Sequence, residues 1–361
     1  SNSIGNCTIA YNASHQIYLS GSLNALLMSN SIVVASGSGD YCIYWSGGVY
    51  QGNYNDLYAI NGASAGYSNG ARTALADWQG VTSQDMSSLS ADPFFADTAG
   101  GDFHLKSLEG RFVSPGVWTN DPVHSPGIDT GHPDSLWTNE PAPNGGRVNL
   151  GAFGNTDQAS KSQTNAWLLA LAWNDGGTAM GTNTLRWAFG NIATDATVRI
   201  EYSFDDGAGW TTVTSGLTVS SGAYAWDSTL QASSPLAKWR VVLESDPSVA
   251  DANDTAFKLR NGPYTYYVND GNTGGDVYCS GVGSDANPGV SSNAPAASLA
   301  TLLAAFDLEP GDTIYVDTGL HVLTSNAVLS SSDSGAGGAA VVLQGSPRGA
   351  GIDRNYGSGS A

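Results

Sequence analysis

Three stretches of the chain decide its fold because they repeat: Ser3-Ile4-Gly5-Asn6-Cys7-Thr8-Ile9, Leu27-Met28-Ser29-Asn30-Ser31-Ile32-Val33 and Tyr50-Gln51-Gly52-Asn53-Tyr54-Asn55-Asp56-Leu57. Each places an asparagine inside an apolar or β-prone run, and Asn6, Asn30 and Asn53 recur at almost equal intervals of about two dozen residues. A repeat of that length is the size of one coil of a parallel β-helix, a stacked architecture. Because stacking places like residues above one another, these three asparagines are predicted to form a hydrogen-bonded ladder.

The composition favours β-structure and excludes several classes of partner. Only 12% of the 361 residues are charged and 46 are glycine, which suits strands joined by tight turns. The net charge of −19 argues against nucleic acid and against anionic membrane surfaces, since both need clustered lysine and arginine. No run approaches the roughly 18 apolar residues of a membrane span. Cys7, Cys42 and Cys279 are predicted to be unpaired and buried, or joined by at most one bridge.

Changes of pattern along the chain predict three domains. Residues 1–160 carry the coil repeats, a short helix over 68–79 and then a proline-rich stretch. Residues 161–262 contain about seven short apolar strands separated by turns, a pattern typical of an immunoglobulin-like β-sandwich. Residues 263–361 contain a strand at 266–268 and an amphipathic helix whose N-cap is Ser298. Such a helix can cap the first coil of a solenoid.

Two sets of motifs resemble bacterial right-handed parallel β-helix surface proteins. The stretch from Tyr266 to Val316, with Ser284-Asp285-Ala286-Asn287-Pro288-Gly289 and Pro310-Gly311-Asp312-Thr313-Ile314-Tyr315-Val316, is similar to the N-terminal entry of that family. The stretch from Asp92 to Gly154, with Gly101-Asp102-Phe103-His104-Leu105 and Asn144-Gly145-Gly146-Arg147-Val148-Asn149-Leu150-Gly151, is similar to its C-terminal exit. The resemblance implies an all-β chain in which the C-terminal part of one β-helix comes first and the N-terminal part of another comes last. We therefore expect the chain to begin and end within a β-helix.

The resemblance does not select an activity, because β-helix folds serve lyases, hydrolases, adhesins and structural proteins alike. Residues 1–71 contain no lysine or arginine, and their carboxylates are Asp40 and Asp56. Those coils therefore lack the base and the grouped carboxylates that pectin-cleaving β-helices use. No catalytic residue is predicted, and the chain is expected not to be an enzyme.

Two kinds of binding site are weighed against structural roles. Calcium takes six to eight oxygen ligands, so it is the one cofactor that the carboxylate-rich loops would suit. The alternative is that these aspartates are solvated turn residues. The calcium candidates are Asp92, Asp97 and Asp102 in one loop, and Asp270, Asp276 and Asp285 in another. Tyr41, Tyr44 and Trp45 are candidates for stacking against a glycan, against the alternative of packing between coils.

These observations lead to a structural hypothesis. The chain is expected to be an acidic unit of an extracellular fibre or a repetitive cell-surface protein, and its partners are further copies of itself, joined head to tail. The predicted interface residues are Ile4, Cys7 and Ile9 at the leading edge, and Val341, Leu343 and Ile352 at the trailing edge. The alternatives are a carbohydrate-binding adhesin, whose partner is a glycan, and a fragment of a polysaccharide lyase or glycoside hydrolase.

Overall fold

The computed structural model describes residues 2–22, 24–306, 308–323, 326–329, 333, 335 and 338–354. The fold is all-β with several parallel sheets, which confirms the predicted all-β class. The chain forms two compact units. The first comprises Ser1–Tyr202, Thr211–Asp227 and Lys238–Phe257, and the second comprises Ser203–Trp210, Ser228–Ala237 and Lys258–Ala361. The division at 160 and 262 stays a prediction.

Nine strands of the first unit form three parallel ladders. In chain order they are β1 (Asn2–Gly5), β2 (Thr8–Ala10), β3 (Ile17–Leu19), β4 (Ala25–Ser29), β5 (Ile32–Ser36), β6 (Tyr41–Trp45), β7 (Val49–Asn53), β8 (Asp56–Ile60) and β9 (Ser64–Tyr67). The first ladder is β1-β4-β7, the second is β2-β5-β8, and β3-β6-β9 run parallel in the third. The chain therefore visits the three ladders in the same order three times.

The observed register confirms two rungs of the predicted asparagine ladder and corrects the third. Gly5 pairs with Ser29 and Ser29 pairs with Asn53, so the residues that follow them, Asn6, Asn30 and Tyr54, share one turn position. All three adopt a left-handed conformation, with φ of 50°, 52° and 56°. Asn30 Nδ2 donates to Asn6 Oδ1 at 3.2 Å. The prediction of Asn53 as the third rung was wrong because the two repeats in this ladder are equal in length, and the second therefore ends at Tyr54.

The central strand of the second ladder, β5, is buried on both faces. Val33 and Ala35 of β5 point into one apolar cluster with Leu57 and Trp78. The alternate residues of β5 pack against a second cluster, formed with the later segment of the unit that contains Leu105, Ile128 and Leu150. Because successive strand residues face opposite sides, the continuous apolar run of β5 is what burial on both faces requires.

The first helix begins later than the sequence predicts. α1 spans Leu75–Thr82, not 68–79, because Ala71–Arg72 form strand β10, which pairs antiparallel with β9. The backbone N–H of Leu75 donates to Asp175 Oδ2 at 2.8 Å, so a side chain distant in sequence supplies an acceptor at the helix start.

Thirteen further strands lie between residues 95 and 259. They are β11 (Phe95–Asp97), β12 (Asp102–Leu105), β13 (Arg111–Ser114), β14 (Val117–Thr119), β15 (Trp167–Ala170), β16 (Thr178–Ala179), β17 (Thr182–Gly190), β18 (Thr197–Ser203), β19 (Thr211–Thr218), β20 (Ala223–Asp227), β21 (Ser234–Leu243), β22 (Ala250–Ala252) and β23 (Phe257–Leu259). The antiparallel pairs include β15 with β17, β17 with β20, β18 with β19, and β21 with β22. Short 3₁₀ helices lie at Val219–Ser221 and Ser228–Leu230.

The second unit returns to parallel pairing. Its elements are β24 (Thr265–Val268), α2 (Leu299–Ala305), β25 (Thr313–Val316), β26 (Gly319–Leu323), β27 (Val342–Gly345) and β28 (Ala350–Arg354). The parallel sheets are β24-β25-β27 and β26-β28. The predicted helix and its cap are confirmed: the Ser298 side chain accepts hydrogen bonds from the N–H groups of Ala300 and Thr301. Leu302, Tyr266 and Ile314 form the core of this unit.

The three cysteines are unpaired, as predicted, but only one is fully buried. Cys42 is buried, whereas Cys7 and Cys279 are half-buried. Cys7 lies in the turn between β1 and β2, at the edge of two ladders, where no further strand covers it in the described part of the chain.

Candidate functional site

A column of tyrosines runs along the third ladder of the first unit. Tyr18, Tyr44 and Tyr67 occupy equivalent positions in β3, β6 and β9, because Tyr18 pairs with Tyr44 and Tyr44 with Tyr67. The ring centroids are 5.0 Å apart between Tyr18 and Tyr44, and 4.4 Å apart between Tyr44 and Tyr67. The interplanar angles are 11° and 2°, so the rings are stacked face to face. We call these three residues the tyrosine column.

Two further rings flank the tyrosine column. Tyr41 meets the rings of Tyr44 and Tyr67 edge-on, each with centroids 5.6 Å away. His15 stacks on Tyr44 at 4.5 Å. Tyr41 and Tyr44, two of the predicted glycan-stacking residues, thus belong to one aromatic cluster, while Tyr18 and Tyr67 were missed. Each of the two lies about one coil from Tyr44 in the sequence, and that spacing is the signal that would have found them.

Trp45 is not part of this aromatic surface. It follows Tyr44 in the same strand and therefore points to the other face, where it packs against the apolar core. Its ring lies 6.0 Å from Tyr50 and 6.2 Å from Trp78 between centroids. The grouping of Trp45 with Tyr41 and Tyr44 as a surface strip was therefore wrong.

The geometry of the tyrosine column limits what it can bind. A sugar stacks on the open face of an aromatic ring, but in the column each inner face is covered by the next ring. Tyr18, at one end, is 62% exposed, while Tyr44 and Tyr67 are half-buried. The arrangement is that of packing between coils, and a glycan would meet only the end ring and the ring edges.

Alanine substitutions should show that Trp45 contributes more to the free energy of unfolding than Tyr18 does. Trp45→Ala is expected to lower the free energy of unfolding by about 2 kcal/mol, because it removes a large, half-buried ring that packs against the core. Tyr18→Ala, at the exposed end of the column, is expected to cost less than about 1 kcal/mol. Urea unfolding followed by circular dichroism measures both, and equal losses would contradict the assignment of the two rings to different faces.

The six calcium candidates all engage neighbouring groups of the protein. Asp92, Asp97 and Asp285 each accept a backbone N–H, from Phe94, Gly100 and Ser298 respectively. Asp102 lies 3.5 Å from the guanidinium of Arg111 and 2.6 Å from His104 Nδ1. Asp270 accepts the N–H of Asn272, and Asp276 accepts Asn269 Nδ2 at 2.7 Å. Among the described residues, no three histidine, cysteine, aspartate or glutamate side chains lie close enough to share a metal ion.

The leading-edge residues end apolar columns of the first unit. Ile9 pairs with Val33, which pairs with Leu57, and the two inner members are fully buried while Ile9 is half-buried. Ile4 is likewise half-buried beside Met28, which is 3% exposed. In the described part of the chain, β1 and β2 are hydrogen-bonded on one side only. Cys7 lies between them, and its thiol contacts the Gly5 carbonyl at 3.3 Å.

The trailing-edge residues end a similar column in the second unit. Tyr266 pairs with Ile314, and Ile314 pairs with Leu343, whose exposed fraction is 51% against 0% and 1% for the other two. An apolar cavity of about 550 Å³ opens beside Leu343 and Val341. Ile352 pairs with His321 through the backbone of β28, and its side chain lies outside the described residues.

Comparison with known proteins gives one similarity. A family model described as "Disaggregatase related" matches residues 7–131 of the 361. The matched part contains most of the three ladders, α1 and part of the segment that covers the second ladder. No curated protein matches the chain, and no solved structure matches it. None of the helices in the described residues is long and apolar enough to cross a membrane.

Proposed function

We propose that this chain is a structural unit of an extracellular fibre or of a repetitive cell-surface protein, joined to further coils through open strand edges. The similarity to a disaggregatase-related family supports a location at the cell surface or outside the cell. We propose that the unit has no catalytic role and needs no cofactor, since its loop aspartates serve as acceptors for backbone and side-chain donors.

The proposal includes a finer description of the fold. Three ladders visited in turn, in coils of about two dozen residues, support a right-handed parallel β-helix, because crossovers between parallel strands are right-handed in nearly all cases. The parallel strands of the second unit would begin another β-helix. The antiparallel strands between residues 161 and 262 would form the immunoglobulin-like sandwich.

The observation that carries the proposal is that apolar columns stop abruptly at strand edges. Ile4 and Ile9 end columns at the edges β1 and β2, and Leu343 ends a column at the edge β27. An unpaired strand edge is a template for a further strand, and a half-exposed apolar rung gains free energy when that strand covers it. A second copy, or another part of a longer chain, would supply it.

Measuring self-association shows whether a second copy of this chain, or another part of a longer chain, supplies the covering strand. We expect the sedimentation coefficient of the 361-residue chain to rise over about a hundredfold range of concentration, with filaments in negative-stain electron micrographs. Leu343→Lys should weaken association at least about tenfold, because it buries a charge in the joint. Val117→Lys is the matched control, since Val117 has the same exposed fraction of 51% and lies on the β13–β14 hairpin.

A single sedimenting species at every concentration would overturn assembly from copies of this chain. Equal loss of association in Leu343→Lys and Val117→Lys would show that added charge, and not the β27 edge, controls it. A carbohydrate-binding adhesin is the second candidate, favoured by the exposed end of the tyrosine column at Tyr18. Binding to a glycan panel that is lost in Tyr18→Ala, with unchanged sedimentation, would support it.

A further inference from the structure

A cavity of about 600 Å³ lies in the first unit, between β8, β15 and the segments around residues 92, 125, 175 and 254. Its lining combines aromatic rings with carboxyl groups. The rings are Tyr58, Phe94 and Trp167, and the carboxyl groups are Asp92, Asp175 and Asp254. We call it the acidic cavity. None of its carboxylates except Asp92 belongs to the sites discussed above.

A buried acceptor in the wall of the acidic cavity lacks a donor. Asn174 is 6% exposed, and its Nδ2 donates to the carbonyl oxygen of Ala170 at 2.8 Å, which fixes the orientation of the amide. Its Oδ1 is buried without a hydrogen-bond partner among the described residues. The adjacent Asp175 is also buried there: its Oδ2 accepts the N–H of Leu75, and the hydroxyl of Ser90 interacts with the same carboxyl group. Buried polar atoms are normally hydrogen-bonded. A ligand that carries a hydrogen-bond donor could therefore pair with Asn174 Oδ1.

The electrostatics of the acidic cavity favour a positive charge. Burial raises the pKa of Asp175 to about 6, and the nearby charge of Asp77 adds to the rise. Burial also raises the pKa of Asp254, which the charge of Lys238 partly offsets. Burial lowers the pKa of His124 to about 4, so the imidazole of this lining residue is neutral at pH 7 and supplies no compensating charge. A bound cation would favour the ionised form of these buried carboxyl groups.

We propose that the acidic cavity binds a primary ammonium group, carried by a lysine side chain or by an amino sugar. An ammonium group has three donors and no acceptor, which matches the unpaired Asn174 Oδ1 beside the buried Asp175 carboxyl group. The aromatic rings of Tyr58 and Trp167 offer cation–π contacts and apolar surface for the carbon skeleton. A neutral sugar would bring no positive charge to the carboxylates. The proposal goes beyond the structural role and does not rest on end-to-end assembly.

Calorimetric titration with matched probes tests the proposal. The probes are Nα-acetyl-lysine methylamide and glucosamine, each compared with its N-acetylated, uncharged counterpart. We expect at least one amine to bind, and its acetylated counterpart to bind at least about tenfold more weakly. Tighter binding of the lysine derivative would identify a protein partner, and tighter binding of glucosamine would identify a glycan partner.

Isosteric variants assign the binding to the cavity. Asp92→Asn and Asp254→Asn should each weaken amine binding at least about threefold, because each removes one negative charge without changing side-chain size. Asp97→Asn is the control, since Asp97 is exposed at the end of β11 and does not line the cavity. Equal binding of amine and acetylated probe, binding of calcium chloride alone, no binding at all, or unchanged affinity in both cavity variants would overturn the proposal.

Discussion

Replacing Asp85 with alanine is expected to lower the free energy of unfolding by about 4 kcal/mol, the largest effect of any substitution proposed for this chain. Asp85 is fully buried, and its carboxyl group accepts four side-chain hydrogen bonds. The donors are Tyr50 Oη at 2.9 Å, Trp78 Nε1 at 3.1 Å, Asn55 Nδ2 at 3.0 Å and Ser88 Oγ at 2.8 Å. Alanine would leave all four donors buried without their acceptor.

The four donors join separate elements of the first unit. Tyr50 belongs to β7, Trp78 to α1, and Asn55 to the turn before β8, where its Oδ1 accepts the N–H of Ser31. Asp85 therefore connects the helix to the ladders through polar contacts inside an apolar core. Burial, together with the neighbouring Asp85, raises the pKa of Tyr50 well above 10, so its hydroxyl keeps the proton it donates.

The conservative variant makes the test sharper. Asp85→Asn preserves shape, but its amide group must face either Trp78 Nε1 or Asn55 Nδ2, and both can only donate in their present orientations. We expect a loss of about 2 kcal/mol, intermediate between wild type and alanine. Asp97→Ala is the control, because Asp97 is exposed and accepts one backbone N–H, and it should cost less than about 1 kcal/mol. Urea unfolding measures all three, and an alanine variant as stable as the control would contradict the role of Asp85.

The sequence repeat predicted the parallel ladders but not their details, because coil lengths vary. The first ladder keeps two equal repeats, so Tyr54 takes the place expected for Asn53. In the third ladder the step from Tyr18 to Tyr44 is longer than the step from Tyr44 to Tyr67. Turn lengths absorb these differences, and a prediction based on one fixed period cannot locate them. Strand alternation alone, however, would have placed Trp45 opposite Tyr44.

The candidate sites depend on contacts that have no local signature. The acidic cavity brings together Asp92, Asp175 and Asp254, which are distant in sequence and lie in unrelated motifs. Asp85 follows a helix in an ordinary polar stretch, and only the packing of α1 against the ladders surrounds it with donors. Sequence patterns report which face of a strand is apolar, whereas these sites arise where separate elements meet.

The Glu140→Gln substitution should change the pH dependence of stability. Glu140 is 6% exposed, and its Oε1 accepts the N–H groups of Asn149 and Asn155, each at 2.8 Å. Its Oε2 is buried without a partner among the described residues. Burial is the main reason that the pKa of Glu140 rises from 4.5 to about 7; the two backbone hydrogen bonds oppose that rise, and the charge of Asp129 adds to it. The folded protein therefore binds this proton more tightly than the unfolded chain.

The sign of the effect follows from that difference. The contribution of Glu140 to stability is fully present below pH 4.5 and is lost as the pH rises through about 7. Glu140→Gln keeps the acceptor for both N–H groups and cannot ionise. We expect its free energy of unfolding to be within about 1 kcal/mol of wild type near pH 4.5, and higher than wild type by up to about 3 kcal/mol at pH 8.

Chemical denaturation at half-unit pH intervals from 4.5 to 8 measures this difference. Glu244→Gln is the control: hydrogen bonds from Thr197 and Gly216 lower the pKa of Glu244, so its contribution is lost only as the pH falls below 4.5. The control should retain the wild-type slope above pH 5, while Glu140→Gln should reduce it. Some slope will remain in both, because burial also raises the pKa values of Asp129, Asp175 and Asp251. Parallel curves for Glu140→Gln and wild type would show that Glu140 carries no proton into the folded state across this range.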